Sequence, residues 1–292
     1  VHINTVLPNS YRLAKKLRKA GKPLVYHAHS TKEDFRNSYI GSNLVAWLFK
    51  RWIMSCYTKG DVIITPSEYS KGLLRGYGIK KDIFTISNGI DLEDYRRDEQ
   101  AGKEFRKKYG FSDEDKVVIS AGLLIKRKGV HDFAEIARRL PQYKFIWFGT
   151  ANLKLVGREV RNAVKNAPKN LTFAGYVDKP ALQAAFSGSD LFLFPTYEEN
   201  EGIVVLEALA MNIPALLRNI PVYNGWISSE SAYLANNTDD FVRLTEDILE
   251  ERVPSLVENG YEVVRSRSFA RTGRQLAEAY ERAVQICKGQ AK

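Results

Sequence analysis

Two glutamates, Glu199 and Glu207, flank a turn that leads from an apolar strand into an apolar helix. The strand over 191–194 ends at a proline, a polar acidic loop with one glycine follows, and the helix begins around Val204. A carboxylate accepts hydrogen bonds from two hydroxyl groups, and the amides at a helix start favour phosphate or sugar oxygens. An isolated glutamate pair is more often a solvated acidic loop, but in this setting the turn is a candidate site for a sugar phosphate.

Three successive cations, Lys126, Arg127 and Lys128, lie in another turn from a strand to a helix. Alone, such a triplet is more often a solvated surface turn, since Lys and Arg are rarely buried. The apolar run over 117–121 precedes them and a helical pattern from Val130 follows. A diphosphate needs such partners, and each charge-assisted hydrogen bond contributes on the order of 1.5 to 3 kcal/mol. Ligands of open parallel sheets bind beyond the carboxyl ends of strands, so this turn is a candidate diphosphate site.

Two histidines, His27 and His29, stand two residues apart on a strand and therefore point to the same face. The spacing would suit a metal, but no third ligand is apparent nearby. The acidic triplet over 113–115 precedes its strand instead of following it, so it reads as solvated surface. We therefore predict no metal and no cofactor.

The elements around these residues are apolar strands that alternate with amphipathic helices, which indicates an α/β fold with parallel sheets. The segment over 98–108 reads as a charged, exposed connector. We predict an N-terminal Rossmann-like domain over 1–100 and a second one over 101–269. A helix over about 270–288 is expected to pack back on the first domain. Because the chain opens at Val1, in what already reads as a strand, we expect the first domain to lack its opening segment.

The charge is unevenly distributed, since the first 100 residues hold 17 Lys or Arg against 10 Asp or Glu and so most of the net charge of +10. Nucleic acid and an anionic membrane surface would both match this excess, and composition alone does not choose between them. Cys56 and Cys287 fit neither a disulfide framework nor a metal spacing. No stretch reaches the roughly 20 apolar residues that span a bilayer. We expect a cytoplasmic protein, peripheral on the inner face of the cell membrane.

A helical segment over 43–59 interleaves aromatic and basic side chains. Trp47, Trp52 and Lys50 lie within it, and this mixture suits a helix at a membrane interface. The alternative is that Leu44, Trp47, Leu48 and Trp52 form an ordinary core-facing stripe. A basic helix that precedes it in the sequence adds Arg12, Lys15, Lys16, Arg18, Lys19 and Lys22.

The segment over 194–210 resembles the E-x7-E motif of the retaining glycosyltransferases with the GT-B fold. More narrowly, the chain resembles the bacterial enzymes that extend glycosyl-diacylglycerols, of the alpha-galactosyl- or glucosyl-glucosyldiacylglycerol synthase type. The resemblance implies two Rossmann-like domains that face a cleft, the one over 1–100 on the acceptor side and the one over 101–269 binding the nucleotide-sugar. The segments over 61–67 and 87–91 resemble the part of that cleft between the domains.

The same resemblance implies a role for individual residues. In such enzymes the first motif glutamate binds the donor sugar, the second binds the ribose, and a histidine approaches the reactive carbon. Many relatives carry an arginine where this chain has Leu123, and Arg127 is expected to supply that charge. The implied set is His29 and Glu199 for catalysis, Lys128 and then Arg127 for the diphosphate, Glu199, Gly202, Ile203 and Glu207 for the sugar and ribose, and Tyr176 and Val177 for the base.

The expected function is metal-independent, retaining transfer of a hexose from UDP-glucose or UDP-galactose to a monoglycosyl-diacylglycerol. Two alternatives stay open, namely a transferase for cell-wall or exopolysaccharide intermediates and an inactive nucleotide-sugar-binding fragment. Nucleic acid is not an expected partner, because Glu199, Glu201 and Glu207 would line its cleft unfavourably.

Overall fold

A computed structural model describes residues 1–290, in which two parallel sheets are covered by helices. The first sheet has the strand order β1-β2-β3-β4, with β1 His2–Ile3, β2 Val25–His27, β3 Val62–Thr65 and β4 Asp82–Thr85. Its helices are α1 Pro8–Lys19, α2 Lys32–Phe35, α3 Ser42–Tyr57 and α4 Glu68–Gly76.

The second sheet has six strands in the order β10-β9-β8-β5-β6-β7. They are β5 Val117–Ala121, β6 Lys144–Phe148, β7 Leu171–Gly175, β8 Leu191–Phe194, β9 Ala215–Arg218 and β10 Tyr233–Ala235. The helices are α5 Glu99–Tyr109, α6 Val130–Arg139, α7 Arg158–Lys165, α8 Lys179–Ser187, α9 Ile203–Ala210, α10 Thr238–Leu249, α11 Val257–Arg265 and α12 Phe269–Gln290. Two short 3-10 helices, Lys126–Lys128 and Pro221–Tyr223, complete it.

The central strands of the second sheet are buried on both faces, as their uninterrupted apolar sequences require. The chain runs from β5 outward to β7 in one direction and from β8 outward to β10 in the other. The strand order therefore reverses between the neighbours β5 and β8, and such a point opens a crevice beyond their carboxyl ends. The two turns that carry the predicted site residues follow these two strands.

Helix α5 lies where the sequence was interpreted as an exposed connector, and that interpretation is wrong. Asp98 caps the helix, because its carboxylate accepts a hydrogen bond from the Ala101 amide. Phe105 is buried, and the backbone of Gly102 packs against that of Gly188. The abundant charges of this segment cover one exposed face and hide the apolar spacing of the other.

The last helix, α12, returns to the first sheet. Ala279 and Ala283 are buried in one cluster with Val25, Val62 and Ile64 of strands β2 and β3. The two sheets lie on either side of residue 100 in sequence, and the domain boundary there stays a prediction. Within residues 1–290, no helix combines the length and the apolarity that crossing a bilayer requires.

Candidate active site

A cavity of about 450 Å³ opens between the two sheets, at the carboxyl ends of their strands. It brings together six of the predicted site residues, although their roles stay predictions. From the first sheet it is lined by His29, and from the second by Lys128, Glu199, Gly202, Ile203 and Glu207. Asp34, for which the sequence suggested no role, also lines it.

The turn after β5 places Lys128 over the cavity. The 3-10 helix Lys126–Lys128 ends at Gly129, whose φ of 73° is left-handed. A Cβ added there would lie 2.2 Å from the carbonyl oxygen of Pro195, so only glycine lets this turn approach the end of β8 so closely. The close approach holds the cation of one turn against the carboxylate of the other.

Glu199 is buried and has three polar partners. Lys128 Nζ donates to Glu199 Oε1, Thr196 Oγ1 donates to the same oxygen at 2.9 Å, and Arg127 Nη1 lies 3.6 Å away. Burial raises the pKa of Glu199, but Lys128 and Arg127 together outweigh it and hold the pKa below its ordinary value. The site therefore contains a charged carboxylate beside a charged amine.

Glu207 lies on the first turns of α9, close to where the helix begins. One of its oxygens accepts a hydrogen bond of 2.6 Å from the hydroxyl of Tyr95, and burial raises its pKa. Gly202, which caps the helix with a φ of 92°, and Ile203 line the cavity. Amides at the start of a helix face an anion with the positive end of the dipole, so this wall suits a phosphate oxygen.

His27 and His29 stack on each other, with ring centroids 3.8 Å apart. Burial lowers the pKa of His27 to about 3, helped by His29 and His2, and burial also lowers the pKa of His29. Both rings are therefore neutral at neutral pH. Among residues 1–290, no group of three or more His, Cys, Asp or Glu side chains is placed to hold a metal ion.

Three predicted residues are not among those that line the cavity. Arg127 lies beside Glu199, where its Nη1 contacts the carbonyl oxygen of Glu198 at 2.6 Å, and it lines a second cavity of about 280 Å³. Tyr176 is 79% exposed, and Val177 packs against the core of the second sheet. Their predicted roles stay predictions.

The loop between β8 and α9 is held from the side of the first sheet by Asn88 and Ser67, which the sequence analysis did not include among the site residues. The carboxylate of Glu201 accepts hydrogen bonds from the amide and side chain of Asn88, at 2.9 and 2.7 Å. Asn200 donates to the carbonyl oxygen of His29 at 2.8 Å, and its own carbonyl accepts from Ser67 at 2.6 Å. Asn88 and Ser67 lie in the two segments identified as the cleft between the domains, which was the available signal.

Comparison with known sequences identifies the family. The pattern described as glycosyl transferases group 1 matches residues 102–263, more than half of the chain, and that of glycosyltransferase family 4 matches residues 1–94. The processive diacylglycerol alpha-glucosyltransferase of Acholeplasma laidlawii is 41% identical over 98% of this chain and 86% of that protein. The alpha-galactosylglucosyldiacylglycerol synthase of Streptococcus pneumoniae is 27% identical over 76% of this chain, which spans 60% of that protein.

Solved structures agree on the fold. HepE from Anabaena, in complex with UDP and glucose, superimposes with a TM-score of 0.79 at 19% identity, over 96% of this chain and 77% of that one. Sucrose-phosphate synthase from Thermosynechococcus elongatus gives 0.78 at 20% identity, over 96% and 72%. Both predictions, of the GT-B fold and of the family, are confirmed, and the chain belongs to the group 1 glycosyl transferases.

Proposed function

We propose that the chain transfers a hexose from UDP-glucose or UDP-galactose to a monoglycosyl-diacylglycerol. The single observation that carries this proposal is the ion pair of Lys128 and Glu199, largely shielded from solvent, in the lining of the cavity between the sheets. The names of the two glycolipid-forming relatives support the acceptor, and the complexes of HepE with UDP or UDP-glucose support the donor.

In this proposal each part of the cavity takes one part of the donor. Lys128 and the amides at the start of α9 bind the diphosphate and take up the charge that develops on it when the sugar leaves. Glu199 accepts hydrogen bonds from hexose hydroxyls, and Glu207 accepts one from the ribose. Arg127 supplies a second cation for the diphosphate, and Tyr176 with Val177 forms the wall beside the base.

His29 provides a neutral ring near the reactive carbon, since its pKa is lowered by burial. The predicted catalytic set contains no second carboxylate in a nucleophile's position, so we propose retention by departure and attack on the same face of the sugar. Because cations and amides balance the diphosphate charge, we propose that no divalent ion takes part.

The experiment separates this reaction from the other candidates. The chain is incubated in EDTA with UDP-glucose or UDP-galactose and glucosyl-diacylglycerol. We expect one donor to give a diglycosyl-diacylglycerol with an alpha linkage, identified by mass spectrometry and NMR. Transfer to a soluble wall or exopolysaccharide intermediate instead, or UDP-sugar binding with no transfer to any acceptor, would contradict the proposal.

The surface of α3 supports a second part of the proposal, attachment to an anionic membrane at the inner face. Leu44 is 80% exposed, and Val45, Trp47 and Leu48 are exposed beside it, whereas the opposite face of α3 is buried. The alternative was that Leu44, Trp47, Leu48 and Trp52 face the core. Of these four residues only Trp52 is partly buried, and its indole nitrogen donates to the carbonyl oxygen of Val6 at 2.6 Å. Helix α1 packs against α3 and exposes the cations Arg12, Lys15, Lys16 and Lys19.

Removing two of these apolar side chains should weaken membrane binding. We expect Leu44→Ser with Trp47→Ser to lower partitioning onto vesicles that contain an anionic lipid by about tenfold or more, since each buried apolar side chain is worth about 1.5 to 3 kcal/mol. Sedimentation with vesicles measures it, and Val284→Ser on α12, another exposed apolar side chain, is the matched control. The attachment would be refuted if the double variant partitioned like the unmodified chain. It would also be refuted if the unmodified chain bound equally to vesicles with and without the anionic lipid.

A further inference from the structure

Asp34 lies on a helix that packs beside the first sheet, and its carboxylate lines the cavity between the two sheets. It lies on α2, whose start is capped by Thr31, and it lines the cavity with Lys128 and Glu199. Its Oδ1 lies 2.9 Å from Nη2 of Arg127, and the side chain is 23% exposed. The function proposed above gives this residue no role.

One guanidinium joins Asp34 to Glu199. Arg127 contacts the Asp34 carboxylate through Nη2 and lies 3.6 Å from Glu199 through Nη1. The two carboxylates are therefore separated by no more than the width of one guanidinium plus its contacts of 2.9 and 3.6 Å, which places both within reach of a single hexose ring. Burial raises the pKa of Asp34, and Arg127 acts in the opposite direction.

The contacts of Glu199 link Asp34 to the residues that are proposed to hold the donor. Lys128 pairs with Glu199, and Arg127 contacts both Glu199 and Asp34. Asp34, Lys128 and Glu199 also line the same cavity. In the proposed function Lys128 meets the diphosphate and Glu199 meets the hexose, so a hexose in that position lies within reach of the Asp34 carboxylate.

We propose that Asp34 binds a hydroxyl of the donor hexose and selects the sugar, an inference that rests on the proposed function. The ion pair with Arg127 orients this carboxylate. Because Asp34 belongs to the first sheet's helices and Glu199 to the second sheet's, the hexose bridges the two halves of the molecule. UDP alone, which has no hexose, makes no contact with Asp34.

The test compares UDP with UDP-glucose in the Asp34→Asn variant, by calorimetry on the full chain. A charge-assisted hydrogen bond to a hydroxyl is lost, so we expect UDP-glucose to bind roughly 10- to 100-fold more weakly while UDP binds as before. Unchanged UDP binding also shows that the variant is folded. Glu33→Gln is the matched control, because Glu33 lies on the same short helix but accepts from Tyr77 and lines the smaller cavity.

Donor analogues that lack one hydroxyl, on carbon 3, 4 or 6 of the glucose, identify the contact. One of them should bind the unmodified chain as weakly as UDP-glucose binds Asp34→Asn, and should lose nothing further in that variant. The role of Asp34 would be overturned if the ratio of UDP affinity to UDP-glucose affinity were the same in the unmodified chain and in Asp34→Asn. It would also be overturned if each of the three analogues lost as much affinity in Asp34→Asn as UDP-glucose does. If neither UDP-glucose nor UDP-galactose binds the unmodified chain, the proposed function itself fails.

Discussion

Glu199→Gln is expected to lower kcat/KM for hexose transfer by roughly 100-fold or more, because two charge-assisted hydrogen bonds to sugar hydroxyls are weakened at once. Glutamine keeps the size of the side chain, so the cavity is preserved. Affinity for UDP should not fall, since Lys128, released from its buried partner, is free to meet the diphosphate. Steady-state kinetics with the lipid acceptor and calorimetry with UDP measure the two effects.

The neighbouring carboxylate provides the control for this variant. Glu198 accepts from the Tyr69 hydroxyl at 3.1 Å and lines the smaller cavity, and burial raises its pKa to about 7. Glu198→Gln should therefore leave transfer within a fewfold of the unmodified chain. Comparable losses in the two variants would mean that Glu199 has no special position toward the donor.

Lys128→Met is the second large effect, with kcat/KM lowered by roughly 100- to 1,000-fold, the range seen when one donor to a developing negative charge is removed. Unlike Glu199→Gln, it should also weaken UDP binding, because the diphosphate loses a cation. The folded state should be destabilised by about 3 kcal/mol, since Glu199 stays buried with only Arg127 as a cation nearby. Kinetics, UDP calorimetry and urea denaturation measure these three quantities.

Lys126→Met is the matched change, because Lys126 lies in the same 3-10 helix but is exposed and pairs with Glu159 at the surface. It should alter neither UDP affinity nor transfer by more than a fewfold. Adding Glu199→Gln to Lys128→Met should restore part of the lost stability, because the uncompensated charge is removed. A double variant whose destabilisation is the sum of the two single ones would argue against a coupled pair.

Much of the fold could be predicted from the sequence because the strands are apolar runs of the right length between helical repeats. The runs over 117–121 and 191–194 coincide with β5 and β8. Helix α5 was not predicted, because exposed charged residues outnumber Gly102 and Phe105 in this segment. Such a density of charge is typical of a solvated connector. The helix packs on α8, which is distant in sequence, so this contact cannot be predicted from the local sequence pattern.

Prediction of the site depended on whether a residue acts alone or through a partner. Lys128 and Glu199 follow adjacent strands, so their meeting could be expected from topology. Arg127 belongs to the same basic triplet, yet its guanidinium pairs with Asp34, a residue distant in sequence. The direction in which the side chain turns is decided by that contact and by the carbonyl oxygen of Glu198, neither of which the triplet encodes.

The most direct test of the central claim is a crystal structure of the chain with a fluorinated, unreactive analogue of UDP-glucose. We expect diphosphate oxygens within hydrogen-bond distance of Lys128 Nζ. The Glu199 carboxylate should then have turned away from that amine and should accept from the hexose hydroxyls. A nucleotide bound outside the cavity, with the ion pair of Lys128 and Glu199 left intact, would contradict it.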